Sequence, residues 1–188
     1  ANATTIDMST FEGANIILGQ ATGITRTAKT DFGALHKNAR TLTSTSSDQV
    51  DADFSASTAA VTVSGLGTDV QDYDGGTKGD TLTGNDGNDS LTGGEGNDTL
   101  TGGAGNDTLK EGAGSGSITG GAGNDSITAG AGFDTIDAGE GDDTIIMGTN
   151  MSISDSVVGG LGNDTLTATV SSATANQKIG TLTGVENG

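Results

Sequence analysis

The sequence predicts an all-β fold, a right-handed parallel β-solenoid whose coils each hold two short strands and two Gly-rich turns. Two observations carry this. Gly75 to Ile146 is a nine-residue unit written eight times without a gap: GGTKGDTLT, GNDGNDSLT, GGEGNDTLT, GGAGNDTLK, EGAGSGSIT, GGAGNDSIT, AGAGFDTID, AGEGDDTII. Such a period marks a repeat architecture. Composition is the second. The chain has 34 Gly, no Pro, no Cys, 3% aromatic residues and a formal charge of −18, so no ordinary globular core is available to it.

The unit is Gly-Gly-x-Gly-x-Asp-x-U-x, with U Leu or Ile. Its last three residues alternate polar, apolar, polar, which predicts a very short strand with one inward side chain. Its first six form a turn. Three glycines there predict backbone at positive φ, or backbone that something approaches closely. Asn recurs at the fifth place (Asn88, Asn97, Asn106, Asn124, Asn163) and tolerates the left-handed region. Two units make one coil of 18 residues. The inward residues Leu82, Leu100, Ile118 and Ile136 then form one ladder, and Leu91, Leu109, Ile127 and Ile145 face them in a second.

Taken in order, residues 1–63 form a Thr/Ser/Ala-rich, irregular β region. Ile24 to Thr27 and Ala60 to Ser64 read as strands, and only Phe32 to Arg40 has the composition of a short helix. Residues 64–167 form the repeat region. It opens on a degenerate turn, Ser64 to Asp69, after which Gln71 takes the apolar place. The adjacent Asp69, Asp72 and Asp74 either hold an ion or form a solvated loop. The repeats are interrupted at 147–158, read as an insertion Met147-Gly148-Thr149 and a decayed unit with Asp155 and Val157 in register. A ninth clear unit, GGLGNDTLT, spans Gly159 to Thr167. Residues 168–188 return to the earlier style as the start of a further β segment. A solenoid needs capped ends, so the sequence reads as a segment of something longer.

Charge and composition exclude several functions. Seven basic residues against 25 acidic ones argue against nucleic acid and against anionic membrane surfaces. No apolar run approaches the ~20 residues of a spanning helix. Disulfides are impossible without Cys. A single histidine, His36, rules out an HExxH zinc site within this chain, and no G-x-S-x-G elbow that would set up a Ser-His triad occurs. Asp51-x-Asp53-x-Ser55 opens like an EF-hand loop but lacks its glycine and closing glutamate. The expectation is a non-enzyme. Tyr73 and Phe133 read as solenoid packing.

The predicted core is thin: one buried Leu or Ile for nine ordered residues, several of them glycine. Stacking also sets Asp80 beside Asp98, and Asp89, Asp107, Asp125 and Asp143 in a row. Carboxylates at strand spacing repel. A hard divalent cation between turns solves both problems, and Ca²⁺ fits best, because it accepts six to eight oxygens in loose geometry.

The units GGEGNDTLT, GGAGNDTLK, GGAGNDSIT and GGLGNDTLT resemble the haemolysin-type calcium-binding nonapeptide of the RTX family. The resemblance covers residues 75–146 and 159–167. It implies a parallel β-roll that folds on binding several Ca²⁺ ions, secreted to the bacterial surface or beyond by a type I system. It implies carboxylate ligands at Asp80, Asp89, Asp98, Asp107, Asp125, Asp134, Asp143 and Asp164, with turn carbonyls such as those of Gly93, Gly94, Gly96, Gly102, Gly103, Gly105, Gly120, Gly121 and Gly123. At least four strong sites are expected, Asp80–Asp98 on one edge and three along Asp89, Asp107, Asp125 and Asp143 on the other. Unit five has Gly116 where Asp belongs, so sites touching it should be weak or empty. Lys78 at a glycine place predicts a looser first turn. Asp164 stacks on Asp143 only if the three-residue insertion bulges out.

The flanks VDADFSASTAAVTVSG and TLTGVENG are similar to linking units of RTX surface-layer proteins. That favours a structural module of a surface layer or fibre that self-associates on Ca²⁺ binding, with no nucleic-acid partner and no membrane insertion. The alternative is a calcium-binding export module of a type I-secreted enzyme, toxin or adhesin.

Overall fold

A computed structural model describes residues 16–18, 30–31, 40–44, 51–55, 57–65, 70–148, 151–168 and 181–183. All regular elements among them are strands. They are β1 (Ile16–Leu18), β2 (Thr30–Asp31), β3 (Arg40–Ser44), β4 (Asp51–Asp53), β5 (Val61–Ser64), β6 (Asp72–Asp74), β7 (Thr81–Asp86), β8 (Ser90–Glu95) and β9 (Thr99–Ala104). Then follow β10 (Thr108–Ala113), β11 (Ser117–Ala122), β12 (Ser126–Thr128), β13 (Thr135–Glu140), β14 (Thr144–Gly148), β15 (Ser156–Leu161), β16 (Thr165–Ala168) and β17 (Thr181–Thr183).

Successive strands alternate between two parallel sheets. Odd-numbered strands stack in order in one sheet, and even-numbered strands in the other. The chain is thus an all-β parallel solenoid, as its period predicts. Within the repeats each strand pairs with the one 18 residues on, for example Leu82 with Leu100 and Leu91 with Leu109. The flanking strands continue the same ladders: β5 pairs with β7, and β15 with β17.

The core lies between the sheets. Leu82, Leu100, Ile118, Ile136 and Val157 line one inner face, and Tyr73, Leu91, Leu109, Ile127 and Ile145 the other, all buried. Val157 pairs with Ile136 and Leu166 with Ile145, each 21 residues apart. The three-residue insertion is therefore absorbed without loss of register, and the strand β14 is irregular between Ile146 and Gly148. Asp155 and Val157 stand in register as the decayed unit requires.

Several expectations change. Tyr73, not Gln71, fills the inward apolar place, because Tyr73 pairs with Leu91. Gln71 falls two residues earlier in the frame, at the position of the unit's aspartate, and accepts the Tyr73 hydroxyl at 3.0 Å. Asp72 and Asp74 flank Tyr73 on the outer face of β6; Leu66–Asp69, His36, the Ile24–Thr27 strand and residues 32–39 of the supposed helix lie outside the described residues. Phe133 is not core: it sits at a turn tip and is 63% exposed.

The glycines divide by cause. Most of those at places two and four carry positive φ, as at Gly103 (125°) and Gly105 (131°), whereas Gly76 and Gly130 at place two do not. Asn at place five does not; the non-Gly residue at positive φ among those described is Asn85, at place two. The fifth-place side chains instead form an outer ladder. Asn106 N–H donates to Asn88 Oδ1 and Asn124 N–H to Asn106 Oδ1, each at 2.8 Å, and Asp142 and Asn163 extend it.

Candidate metal centre

The aspartate at place six lies two residues before the inward Leu or Ile, so strand alternation turns it inward too. Asp80, Asp89, Asp98, Asp107, Asp125, Asp134, Asp143, Asp155 and Asp164 are all buried. They fall on two edges of the solenoid. The turns between β7 and β8, β9 and β10, β11 and β12, β13 and β14, and β15 and β16 carry Asp89, Asp107, Asp125, Asp143 and Asp164. The turns on the opposite edge carry Asp80, Asp98, Gly116, Asp134 and Asp155.

On each edge the aspartates are linked coil to coil. The N–H of one donates to the Oδ1 of the next: Asp89 to Asp107 at 2.7 Å, Asp107 to Asp125 at 2.8 Å, Asp125 to Asp143 at 2.7 Å, Asp143 to Asp164 at 3.0 Å. Opposite, Asp80 N–H donates to Asp98 Oδ1 and Asp134 N–H to Asp155 Oδ1. The expected pairings are present, including Asp143 with Asp164 across the insertion.

One oxygen per carboxylate remains. Oδ2 of Asp89, Asp98, Asp107, Asp125, Asp143 and Asp164 is buried with no hydrogen-bond partner. Buried acceptors left bare are costly, and charged ones most of all. The ends of the broken edge differ. Asp80 Oδ2 accepts the Gly76 N–H at 2.6 Å, and Asp155 Oδ2 accepts the Ser152 N–H at 2.5 Å.

The place-one glycine explains where the bare oxygens lie. A Cβ at Gly84, Gly93, Gly102 or Gly120 would overlap Oδ2 of Asp89, Asp98, Asp107 or Asp125. The same spot faces the place-one carbonyl of the following coil: Gly102 O for Gly84, and Gly120 O for Gly102. A carboxylate oxygen and a carbonyl oxygen thus converge beside each of these four α-carbons. Gly93 O does the same beside Gly75 and Asp80. The carbonyls of Gly94, Gly96, Gly103, Gly105, Gly121 and Gly123 each face the equivalent glycine one coil on.

Such a set of oxygens suits a hard cation: anionic carboxylates and neutral carbonyls, without nitrogen or sulfur. Among the described residues no three His, Cys, Asp or Glu side chains converge. A cation placed here would meet carboxylates of stacked turns and backbone carbonyls.

Electrostatics agrees. Burial pushes the Asp89 and Asp98 carboxyls up to about 6, with the charges of Asp107 and Asp86 adding at the first and that of Asp80 at the second. Burial pushes Asp125 up to about 7, helped by Asp107 and Asp143. Asp80, Asp107, Asp134 and Asp143 are raised by burial as well. These groups resist ionisation for want of a counter-charge.

Glu111 escaped the sequence reading. It occupies place one of unit five, where other units have Gly or Ala. It is fully buried, neither carboxylate oxygen has a partner, and burial with the charges of Asp134 and Asp98 pushes it up to about 7. Its signal was in the sequence: unit five departs from the pattern twice, at place one and at place six.

A family model for the RTX calcium-binding nonapeptide repeat, in four copies, matches residues 74–109, 112–148 and 152–169. Its first two segments part at residues 110–111, beside this departure. No curated protein and no solved structure matches the chain.

Proposed function

We propose, from the premise that this chain carries RTX calcium-binding nonapeptide repeats, that it is a calcium-dependent structural module of a secreted bacterial surface protein. The observation that carries the calcium dependence is the row of buried, unpartnered Oδ2 atoms on stacked turns. Ca²⁺ supplies the missing counter-charge, so metal binding and folding are one equilibrium. The aspartates bind, the turn carbonyls complete the shell, and no residue is assigned a catalytic step.

The surface-layer or fibre assignment is supported by the flanks. Thr/Ser-rich strands on both sides of the repeats continue the same parallel ladders rather than starting a separate fold. A rod extended at both ends suits a repeating extracellular structure, and Ca²⁺ then drives self-association as well as folding. No helix among the described residues is long and apolar enough to cross a membrane.

The test is light scattering and electron microscopy of the purified chain, with chelator and with millimolar Ca²⁺. Sheets or fibres that form only with Ca²⁺ support the assignment. A Ca²⁺-folded chain that stays monomeric overturns it and leaves the export module of a type I-secreted enzyme, toxin or adhesin.

A further inference from the structure

Unit five reads EGAGSG where the pattern asks for Gly at place one and Asp at place six. The two departures meet in space. A Cβ at Gly116 would overlap Glu111 Cγ and lie 3.0 Å from its Oε1. In neighbouring units the relation is reversed: a Cβ at place one would overlap the place-six carboxylate. Glutamate and glycine have exchanged places, and a carboxylate still enters the space between them.

We infer that Glu111 is a Ca²⁺ ligand that replaces the absent place-six aspartate, so that the edge interrupted at Gly116 runs on through Asp98, Glu111 and Asp134. Three observations support it. Glu111 is 0% exposed and both Oε atoms are unpartnered. It stands on the coil between those of Asp98 and Asp134, and the charges of both act on its carboxyl. The neighbouring coil also makes room for it: Oε2 lies 2.7 Å from where a Cβ of Gly130 would be, and β12 stops at Thr128, short of Gly130.

Glu111 also keeps more free oxygen than the residue it replaces. The Oδ1 of each aspartate beyond the first coil accepts a backbone N–H of the coil before it. Gly116 offers no such acceptor to Asp98, and Glu111 accepts nothing. Both its oxygens remain for a cation, and Ca²⁺ accepts carboxylates in bidentate fashion. The sites on either side of unit five, read from place six alone as weak or empty, are thereby complete.

This inference rests on the calcium reading, and the experiment separates the two. Bound Ca²⁺ per chain is counted by equilibrium dialysis on the full chain, for the wild type, for Glu111→Gln and for the exchange Glu111→Gly/Gly116→Asp. Glutamine keeps the shape and removes the charge. The expected result is a loss of about two ions in Glu111→Gln, one on each side of unit five, and a return to the wild-type count in the exchange variant. A Glu111→Gln chain with the wild-type count overturns the assignment, as does an exchange variant that binds no more than Glu111→Gln. A wild-type chain that binds no Ca²⁺ overturns the calcium reading itself. Circular dichroism in chelator gives an independent readout. Removing a buried charge leaves the metal-free strand signal of Glu111→Gln equal to or above wild type, and a lower signal marks a purely structural role.

Discussion

Asp107 and Asp125 sit one coil apart, and the Asp107 N–H donates to Asp125 Oδ1 at 2.8 Å while Oδ2 of each has no partner. One oxygen of each carboxylate holds the stack together and the other is left over. That division of labour recurs along the whole edge from Asp89 to Asp164, and it makes structural and metal-binding roles separable by mutation.

Asp107→Asn keeps the Oδ1 acceptor and the volume but removes the charge. With Asp89 and Asp125 on either side, Asp107 serves two neighbouring turns. The half-saturating Ca²⁺ concentration should rise on the order of tenfold, with strand content recovered at high Ca²⁺. Asp80→Asn should shift it less, since both Asp80 oxygens already accept N–H groups, from Val61 and Gly76. Calcium titration by circular dichroism measures both, and equal shifts contradict the division.

Protons and calcium should each stabilise the stacked fold and compete for the same carboxylates. The folded-state carboxyls of Asp89 and Asp98 are raised to about 6, and those of Asp125 and Glu111 to about 7. Raised acids bind more protons folded than unfolded. Their contribution to metal-free stability is full below about pH 4 and is lost as pH rises through 6 to 7. Strand signal in chelator should therefore fall over that range. Ca²⁺ displaces the same protons, so its affinity should climb over it. A calcium midpoint independent of pH between about 5.5 and 7.5 refutes this.

Chelation should unfold the repeats cooperatively. Without a counter-charge the buried, bare carboxylates oppose stacking, while the core offers only one large apolar side chain per unit. Thermal stability should depend on free Ca²⁺ concentration, as linkage requires. Scanning calorimetry at several Ca²⁺ levels checks it, and a constant Tm argues against the coupling.

The two kinds of glycine should fail differently. Gly103 has φ of 125°, and a Cβ there would meet the Asn85 carbonyl, so Gly103→Ala strains the backbone by about 1–2 kcal/mol before any clash is counted. Gly102 has no such φ, but its Cβ would overlap Asp107 Oδ2. At saturating Ca²⁺, Gly103→Ala should lower Tm with the ion count kept, whereas Gly102→Ala should lower both. Dialysis and calorimetry on the same samples distinguish them.

The outer ladder should be dispensable for metal. Asn106→Ala removes the bond its side chain accepts from Asn124 N–H, at an exposed tip. The cost should be about 0.5–1.5 kcal/mol, read as a small drop in Tm, with the calcium titration unchanged.

Much of this molecule was legible from its period alone. Nine residues with one apolar place determine a two-strand coil, the facing Leu and Ile ladders, and the pairing of each aspartate with the one 18 residues on, or 21 across the insertion. These follow because strand alternation and a constant repeat leave one register that keeps every apolar residue inside. Tertiary packing decided what a period cannot express. Gln71 takes the aspartate place and Tyr73 the core, because pairing with β8 overrides the local motif. Glycine at place one lies against a carboxylate oxygen at Gly84, Gly93, Gly102 and Gly120 and is not set there by φ, and Asn at place five is a rung and not a left-handed turn. Glu111 shows the reason most clearly. A repeat specifies which residue belongs at each place, but the space between coils is filled by whichever side chain reaches it, and a glutamate from place one reaches the ground that an aspartate at place six would hold.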